Sequence, residues 1–333
     1  MKTIFITGGA GYIGSHTAVE LLESGYKIIV ADNFYNSNIN SIENIKKITG
    51  KDFNFYEIDI CNKAELQKVF KDNEIDAVIH FAGYKAVGES VANPLMYYRN
   101  NIDSTLSLLE VMQEFDCKKL VFSSSATVYG EPEKLPLDEN CRLMTTNPYG
   151  STKLYIEGIL KDLYTSNNEW GISILRYFNP VGAHKSGLIG ESPNGIPNNL
   201  MPYIVKVANK EISHLNIFGN DYSTKDGTGV RDYIHVIDLA KGHVKSLDKL
   251  FRDESCLDVF NLGTGNGYSV LELVNTFIKV NNVEIPYQIV ERRPGDIAEC
   301  YADPSNAKEN LKWKAELSLE DMCKDAWHYI KKN

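Results

Sequence analysis

Thr3-Ile4-Phe5-Ile6-Thr7-Gly8-Gly9-Ala10-Gly11-Tyr12-Ile13-Gly14, followed eighteen positions later by Asp32, is the stretch from which the fold is read. The β-branched and aromatic run Thr3–Thr7 predicts a short buried strand. Gly9, Gly11 and Gly14 satisfy G-x-G-x-x-G, and Gly8, Gly11 and Gly14 satisfy the overlapping G-x-x-G-x-x-G. Glycines at those places allow a tight strand-to-helix turn, close approach of backbone to a pyrophosphate, and close packing of helix on sheet. A helix over Ile13–Glu23 and a second strand over Lys27–Ala31 supply the context. Asp32, at the end of that strand, can accept from both hydroxyls of a ribose and repels a 2′-phosphate, which predicts NAD rather than NADP. The bland alternative is a plain glycine turn with Asp32 capping a loop. Strand, glycines and acid standing in register weigh against it.

Outward from this unit, apolar runs alternate with amphipathic segments up to about residue 180. Strands are expected at Asn54–Glu57, Ala77–Phe81, Leu120–Ser123 and Ile172–Arg176, and helices at Ala64–Phe70, Asn101–Glu114 and Tyr149–Tyr164. Repeated β-α units with right-handed crossovers make an α/β fold, a Rossmann-type doubly wound parallel sheet. After Asn179 the alternation gives way to Gly-, Pro- and Asn-rich loops, read as a smaller α/β C-terminal substrate-binding lobe. The expected division is residues 1–180 for the dinucleotide, rejoined by about 232–265 through Asp232–Leu239 and Val259–Gly263, and 181–333 for the substrate.

The chain has 333 residues, 43% hydrophobic and 24% charged, which is ordinary globular composition. A formal charge of −9 disfavours nucleic acid and acidic membrane surfaces, so an anionic ligand must meet a local cluster of donors. Ile4-Phe5-Ile6 is too short for a signal peptide or a membrane span, and a cytoplasmic location is expected. Six widely spaced cysteines contain no C-x-x-C pair, so free thiols are expected, with neither a disulfide framework nor a metal. His80, His184, His235 and His243 lack ligand spacing and read as packing or loop residues. Asp226-Gly227-Thr228-Gly229 has no P-loop lysine after it and reads as a turn.

A second constellation lies further on. The strand at Leu120–Ser123 runs into Ser123-Ser124-Ser125-Ala126-Thr127, placing hydroxyls at the carboxyl end of the sheet, where ligands bind in this architecture. Tyr149 and Lys153, four apart after Asn147-Pro148, share one helix face. A phenol titrates near 10 and is a poor base at neutral pH, but an adjacent ammonium and an oxidised nicotinamide both favour its anion. Tyr149 is therefore a candidate base for a sugar hydroxyl, Lys153 its acidifier and cofactor anchor, and Ser125 the hydroxyl that holds the substrate oxygen. Alone, Y-x-x-x-K usually marks an exposed helix pair. A fold that binds NAD as a sensor, without catalysis, is a second alternative, and the presence of all three residues speaks against it.

With these residues in place, the chain resembles the extended short-chain dehydrogenase/reductase family, most closely its nucleotide-sugar 4-epimerases. The resemblance covers nearly the whole chain. It rests on Thr7–His16, Asp32-Asn33, Ile79–Ser90, Phe122–Gly130, Tyr149–Lys153, Leu175–His184, Gly195–Tyr203, Ile217–Asp221 and Gly227–Val236. It implies NAD contacts from Gly8, Gly11, Tyr12, Ile13, Gly14, Asp32, Asn33, Phe34, Tyr35, Asn36, Ser37, Asp59, Ile60, Phe81, Ala82, Gly83, Tyr84, Lys85, Asn100 and Phe178, with Ser125, Tyr149 and Lys153 at the nicotinamide. It further implies UDP-sugar contacts from Lys85, Ser125, Tyr149, Asn179, Asn199, Leu200, Asn216, Ile217, Phe218, Arg231, Arg293, Asp296 and Cys300. Arg231 and Arg293 also read, from their chemistry, as forked donors for a diphosphate.

The implied reaction is transient oxidation at sugar C4, rotation of the 4-keto sugar, and hydride return, acting on UDP-hexoses. Relatives that eliminate water carry an acidic pair after the strand-end hydroxyl. Here Ala126 and Thr127 stand there, which disfavours elimination. Cys300 matches a position that is tyrosine in some members, and its small size is expected to admit a 2-acetamido group; the bland reading is a thiol filling core space. The apolar faces of Asn101–Glu114 and Tyr149–Tyr164 fit the family's helical homodimer interface.

Overall fold

The computed structural model describes residues 1–333 except 193–196, 198, 254 and 294. Thr3–Thr7 (β1) forms as expected, with Ile4, Phe5 and Ile6 fully buried. Successive residues of a strand face opposite sides, so Ile4 and Ile6 join one apolar core and Phe5 the other. The chain continues through α1 (Tyr12–Glu23), β2 (Lys27–Asp32), α2 (Ile39–Thr49), β3 (Asn54–Glu57), α3 (Lys63–Asp72), β4 (Ala77–His80), α4 (Val87–Ala92), α5 (Pro94–Glu114), β5 (Lys119–Ser125), α6 (Pro148–Ser166) and β6 (Gly171–Tyr177).

The remaining elements are β7 (Asn179–Val181), α7 (Leu200–Ala208), β8 (Leu215–Phe218), β9 (Val230–Arg231), β10 (Tyr233–His235), α8 (Val236–Arg252), β11 (Cys256–Leu262), β12 (Tyr268–Ser269), α9 (Val270–Asn281), β13 (Tyr287–Val290), β14 (Glu299–Cys300), α10 (Ser305–Asn310) and α11 (Leu319–Lys332). Seven strands pair in the order β11-β6-β5-β4-β1-β2-β3, all parallel. Strand order reverses between β1 and β4, and a crevice opens at the carboxyl ends there. Small two- and three-stranded sheets carry the other lobe, around a third core that includes α7, α9 and α11.

Two of the differences from expectation have local causes. Helix α5 starts at Pro94 rather than 101, since proline is tolerated in the first turn. Asp232–Leu239 is not one regular element: Tyr233–His235 pairs with β7, and His235 then caps α8 by accepting from the Ile237 N–H. The segment that returns to the large sheet is β11, paired with β6 along seven positions, while α8 covers α1. Buried Asp232 ties the lobes together by accepting from Thr264, Gly265 and Ala302 N–H groups.

Candidate active site

The glycine turn must be glycine for reasons visible in the geometry. Gly8 has φ +69°, and a Cβ there would lie 2.8 Å from the Ala82 nitrogen. A Cβ at Gly14 would meet the Gly8 carbonyl oxygen at 2.3 Å. Helix α1 begins after Gly11 with no side chain capping it, so its first N–H groups face the cleft as an anion site. Asp32, 8% exposed, is held in place: Oδ2 accepts from the Ala10 N–H at 3.0 Å, and Oδ1 from the Phe34 N–H at 3.0 Å and the Ser37 hydroxyl at 2.8 Å. A carboxylate has about four acceptor positions. With the Ser37 hydroxyl free to rotate, Asp32 keeps acceptor positions toward the cleft, and its charge opposes a 2′-phosphate.

The Ser-Tyr-Lys set is assembled by β5 and α6. Asn147 caps α6 by accepting from the Gly150 N–H at 2.8 Å, Pro148 opens the helix, and the Tyr149 N–H donates to Ser90 Oγ at 3.2 Å. Gly150 sits so close to the turn after β5 that a Cβ would lie 3.1 Å from the Thr127 carbonyl. Ser125 Oγ accepts from the Thr127 N–H at 3.2 Å and from Thr127 Oγ1 at 3.0 Å. Its own proton is therefore available to donate, and it favours the ionised Tyr149.

Lys153 is 5% exposed, donates to the Ser123 carbonyl at 2.8 Å, and lies 6.0 Å from the Tyr149 ring centre. The acidified phenol foreseen from the sequence is not what the protein groups alone produce. Burial pushes Tyr149 above its ordinary value, with Ser125 opposing. Burial also lowers Lys153 to about 8, against the pull of Glu157, so the ammonium is itself only weakly held. The protein groups alone thus leave the phenol less acidic than a free one.

One cleft of about 1730 Å³ takes in these groups, well above the ~300–1,000 Å³ of a single-ligand pocket. Every residue assigned from the sequence lines it except Phe34 and Cys300. Phe34 adopts φ +56° in the tight turn after β2, and its ring packs on Phe55 at 5.2 Å instead. Cys300 is buried in the apolar cluster containing Phe178, in register with Arg231, one layer behind the wall. Burial raises its thiol to about 11.

Arg231 uses one nitrogen on the Val230 carbonyl at 2.8 Å, and its other nitrogens have no protein partner among the described residues. Arg293 is held by Asp296 at 2.9 Å and lies over the Phe218 ring at 4.8 Å. Among the cleft residues not foreseen are Glu191 and Tyr222. Glu191 Oε1 accepts from Lys85 at 3.4 Å and Asn199 at 2.9 Å, linking the two lobes. Tyr222 has a buried hydroxyl without a hydrogen-bond partner among the described residues, and the Arg292 guanidinium lies 3.9 Å over its ring. No motif flags an isolated acid or tyrosine in a loop. Part of Gly195–Tyr203 lies outside the described residues.

The histidines set aside earlier have structural partners. His80 bridges Thr7 and Thr105, His184 bonds Ser186, His235 caps α8, and His243 bonds the Leu239 carbonyl. Asp226 closes its turn onto the Thr228 N–H and hydroxyl.

A family model described as GDP-mannose 4,6 dehydratase matches residues 5–326. The UDP-glucose 4-epimerase of Bacillus subtilis is 59% identical over 330 residues, covering 99% of this chain and 97% of that protein. The crystal structure of UDP-glucose 4-epimerase from Bifidobacterium longum in complex with NAD+ and UDP superposes with TM-score 0.97 at 53% identity, covering 100% of this chain and 99% of that one. The corresponding structure from Stenotrophomonas maltophila, with bound NAD and formylated UDP-arabinopyranose, gives TM-score 0.98 at 47% identity over 100% and 98% of the two chains.

Proposed function

The chain belongs to the UDP-glucose 4-epimerase family, and on that premise we propose how its residues interconvert UDP-glucose and UDP-galactose. It is an NAD-dependent isomerase of UDP-hexoses. The observation that carries the assignment of roles is that Ser125, Tyr149 and Lys153 face the same cleft as the glycine turn and the arginines. Bound NAD supplies the two-electron acceptor for hydride from sugar C4 and the donor for its return.

The protein's part is to hold and to move protons. The Gly8–Gly14 turn and Asp32 seat the dinucleotide, and the glycine cradle fits it because the turn can close so tightly only where no Cβ meets the Gly8 or Ala82 backbone. Tyr149 takes the proton of the 4-hydroxyl and gives it back, Ser125 donates to the reacting oxygen, and Lys153 keeps positive charge beside the phenol. Arg231 and Arg293, the latter leaving Asp296, clamp the diphosphate while Asn179, Asn199 and Lys85 hold the hexose loosely enough to turn. Elimination has no support, because Thr127 Oγ1 is engaged with Ser125 and Ala126 carries no acid. Incubating purified protein with UDP-galactose and no added reductant tests the reading: UDP-glucose should accumulate, and its absence rejects the reading.

The finer proposals have separate supports. Cys300 stands just behind the sugar wall, and the acetamido-sugar reading is that its small side chain lets that wall give way to UDP-N-acetylglucosamine and UDP-N-acetylgalactosamine. Undiminished acetamido-sugar turnover in Cys300→Tyr rejects that gate. A homodimer through α4, α5 and α6 is supported by exposed Val91, Leu95 and Tyr155 at 62%, 81% and 54%. Sedimentation as a monomer at micromolar concentration argues against it. No helix among the described residues is long and apolar enough to cross a membrane. A cytoplasmic location accords with six unpaired cysteines, and activity confined to a non-cytoplasmic cell fraction refutes it. The division at about residue 180, with 232–265 returning, is the working domain scheme.

A further inference from the structure

Tyr149, Lys153 and Glu157 follow one another at four-residue steps along α6, so all three point the same way. The first two have roles above; Glu157 has none. Its side chain is 0% exposed, and the Arg176 side chain that meets it from β6 is 2% exposed. Arg176 forks onto both carboxylate oxygens, Nε to Oε1 at 3.0 Å and a terminal nitrogen to Oε2 at 2.6 Å. A buried ion pair is weak evidence of a stability role, since apolar residues of similar volume often serve as well or better. What distinguishes this pair is what it holds.

Ser124, immediately before Ser125, donates to Glu157 Oε1 at 2.6 Å. Tyr129, closing the short turn that follows Ser125, accepts from Arg176 at 3.0 Å and stacks with its guanidinium at 5.0 Å. Tyr129 in turn donates to Asn261 of β11 at 2.7 Å. The residues flanking the catalytic serine on both sides are thus tied to the helix that carries the tyrosine and lysine.

The surroundings of Lys153 make the charge of Glu157 consequential. The groups against the ammonium are Tyr149 on its own helix, the Ser123 carbonyl and Phe122 ring on β5, and His80 on β4. None of these supplies a negative charge before Tyr149 ionises. Glu157 alone raises the lysine's hold on its proton, against burial.

We propose that Glu157 and Arg176 are positioning residues for the epimerase reaction, locking Ser125 in register with Tyr149 and balancing the buried charge of Lys153. The proposal rests on the roles assigned above to those three residues. Its test is the paired variant Glu157→Gln/Arg176→Met, which removes both charges and keeps an amide oxygen for Ser124. The wild-type protein is assayed alongside, so failure of wild type to epimerise UDP-galactose rejects the functional reading itself.

With wild type active, the paired variant should remain folded, bind UDP as before and keep its KM. Its kcat should fall by roughly 10- to 100-fold, the scale of a catalytic group displaced by about 1 Å, and the alkaline loss of kcat should move to lower pH. A folded variant with wild-type kcat and an unmoved alkaline limb overturns the proposal. Glu157→Asp separates the two parts: charge is kept but reach is lost, so kcat should drop while the alkaline limb stays in place. Should the paired variant fail to fold, Ser124→Ala cuts the tether and leaves the ion pair intact. It must then lower kcat at constant KM, and an unchanged kcat refutes the tether.

Discussion

The dinucleotide half of the cleft and the sugar half are built in opposite ways. The first is made from the ends of long, fully buried parallel strands, with the glycine turn, Asp32, Ser125, Tyr149 and Lys153 each pinned by backbone or side-chain hydrogen bonds. The second is made from strands of two to four residues in three small sheets, with cations paired to neighbouring carboxylates, Arg293 to Asp296 and Lys85 to Glu191. One half holds a group that must not move between hydride departure and return. The other holds a sugar that must turn over while its diphosphate stays put. Rigidity and looseness are divided along the same line as the chemistry.

Substitutions in the first half should therefore cost far more than equal ones in the second. The largest effect is expected for Gly14→Ala, whose methyl would collide with the Gly8 carbonyl oxygen at 2.3 Å. Purified variant should carry little or no extractable NAD and show no turnover; NAD at one per chain would break the contrast. Next is Tyr149→Phe, with kcat down about 10²- to 10⁴-fold and UDP affinity intact by calorimetry. Wild-type turnover in that variant would remove the tyrosine from the mechanism.

A moderate effect follows from pH. Lys153 is charged below its value of about 8 and neutral above it, so kcat should decline as pH rises through that region and recover when pH is returned. A flat kcat across that range, measured at saturating UDP-galactose, would show that the ammonium is not needed. Smallest is Glu191→Gln in the sugar half. The pair it breaks is partly exposed, and such pairs contribute ~0–1 kcal/mol, so KM should change by no more than about fivefold. A loss as large as that of Tyr149→Phe would mean the second half is as rigid as the first.

The same division governs what could be read from residues alone. In the dinucleotide half, glycine spacing, strand periodicity and the four-residue step of Tyr149 and Lys153 are local signals, and β1 to β6 lie within a few residues of expectation. Helix α2 escaped because Ile39–Thr49 follows an asparagine-rich loop and has only Ile42 and Ile45 buried. In the sugar half the pairings are distant in sequence, as with β8 and β13, joined from 215 to 287. Strands that short carry no usable period. Phe34 and Cys300 were placed in the cleft by family position, but a left-handed turn and a second packing layer keep their side chains out of it. Glu191 and Tyr222 matter only through partners brought together by folding.

The edge strand β11 has a consequence for synthesis. The sheet that seats the cofactor is completed by residues 256–262, and α8, just before them, covers α1. A nascent chain released only to residue 180 would leave β6 with an open edge and the glycine-bearing helix bare to water. The chain must therefore be made past residue 262 before the glycine turn at residues 8–14 gains a closed scaffold, and fragments cut between the lobes should aggregate rather than fold.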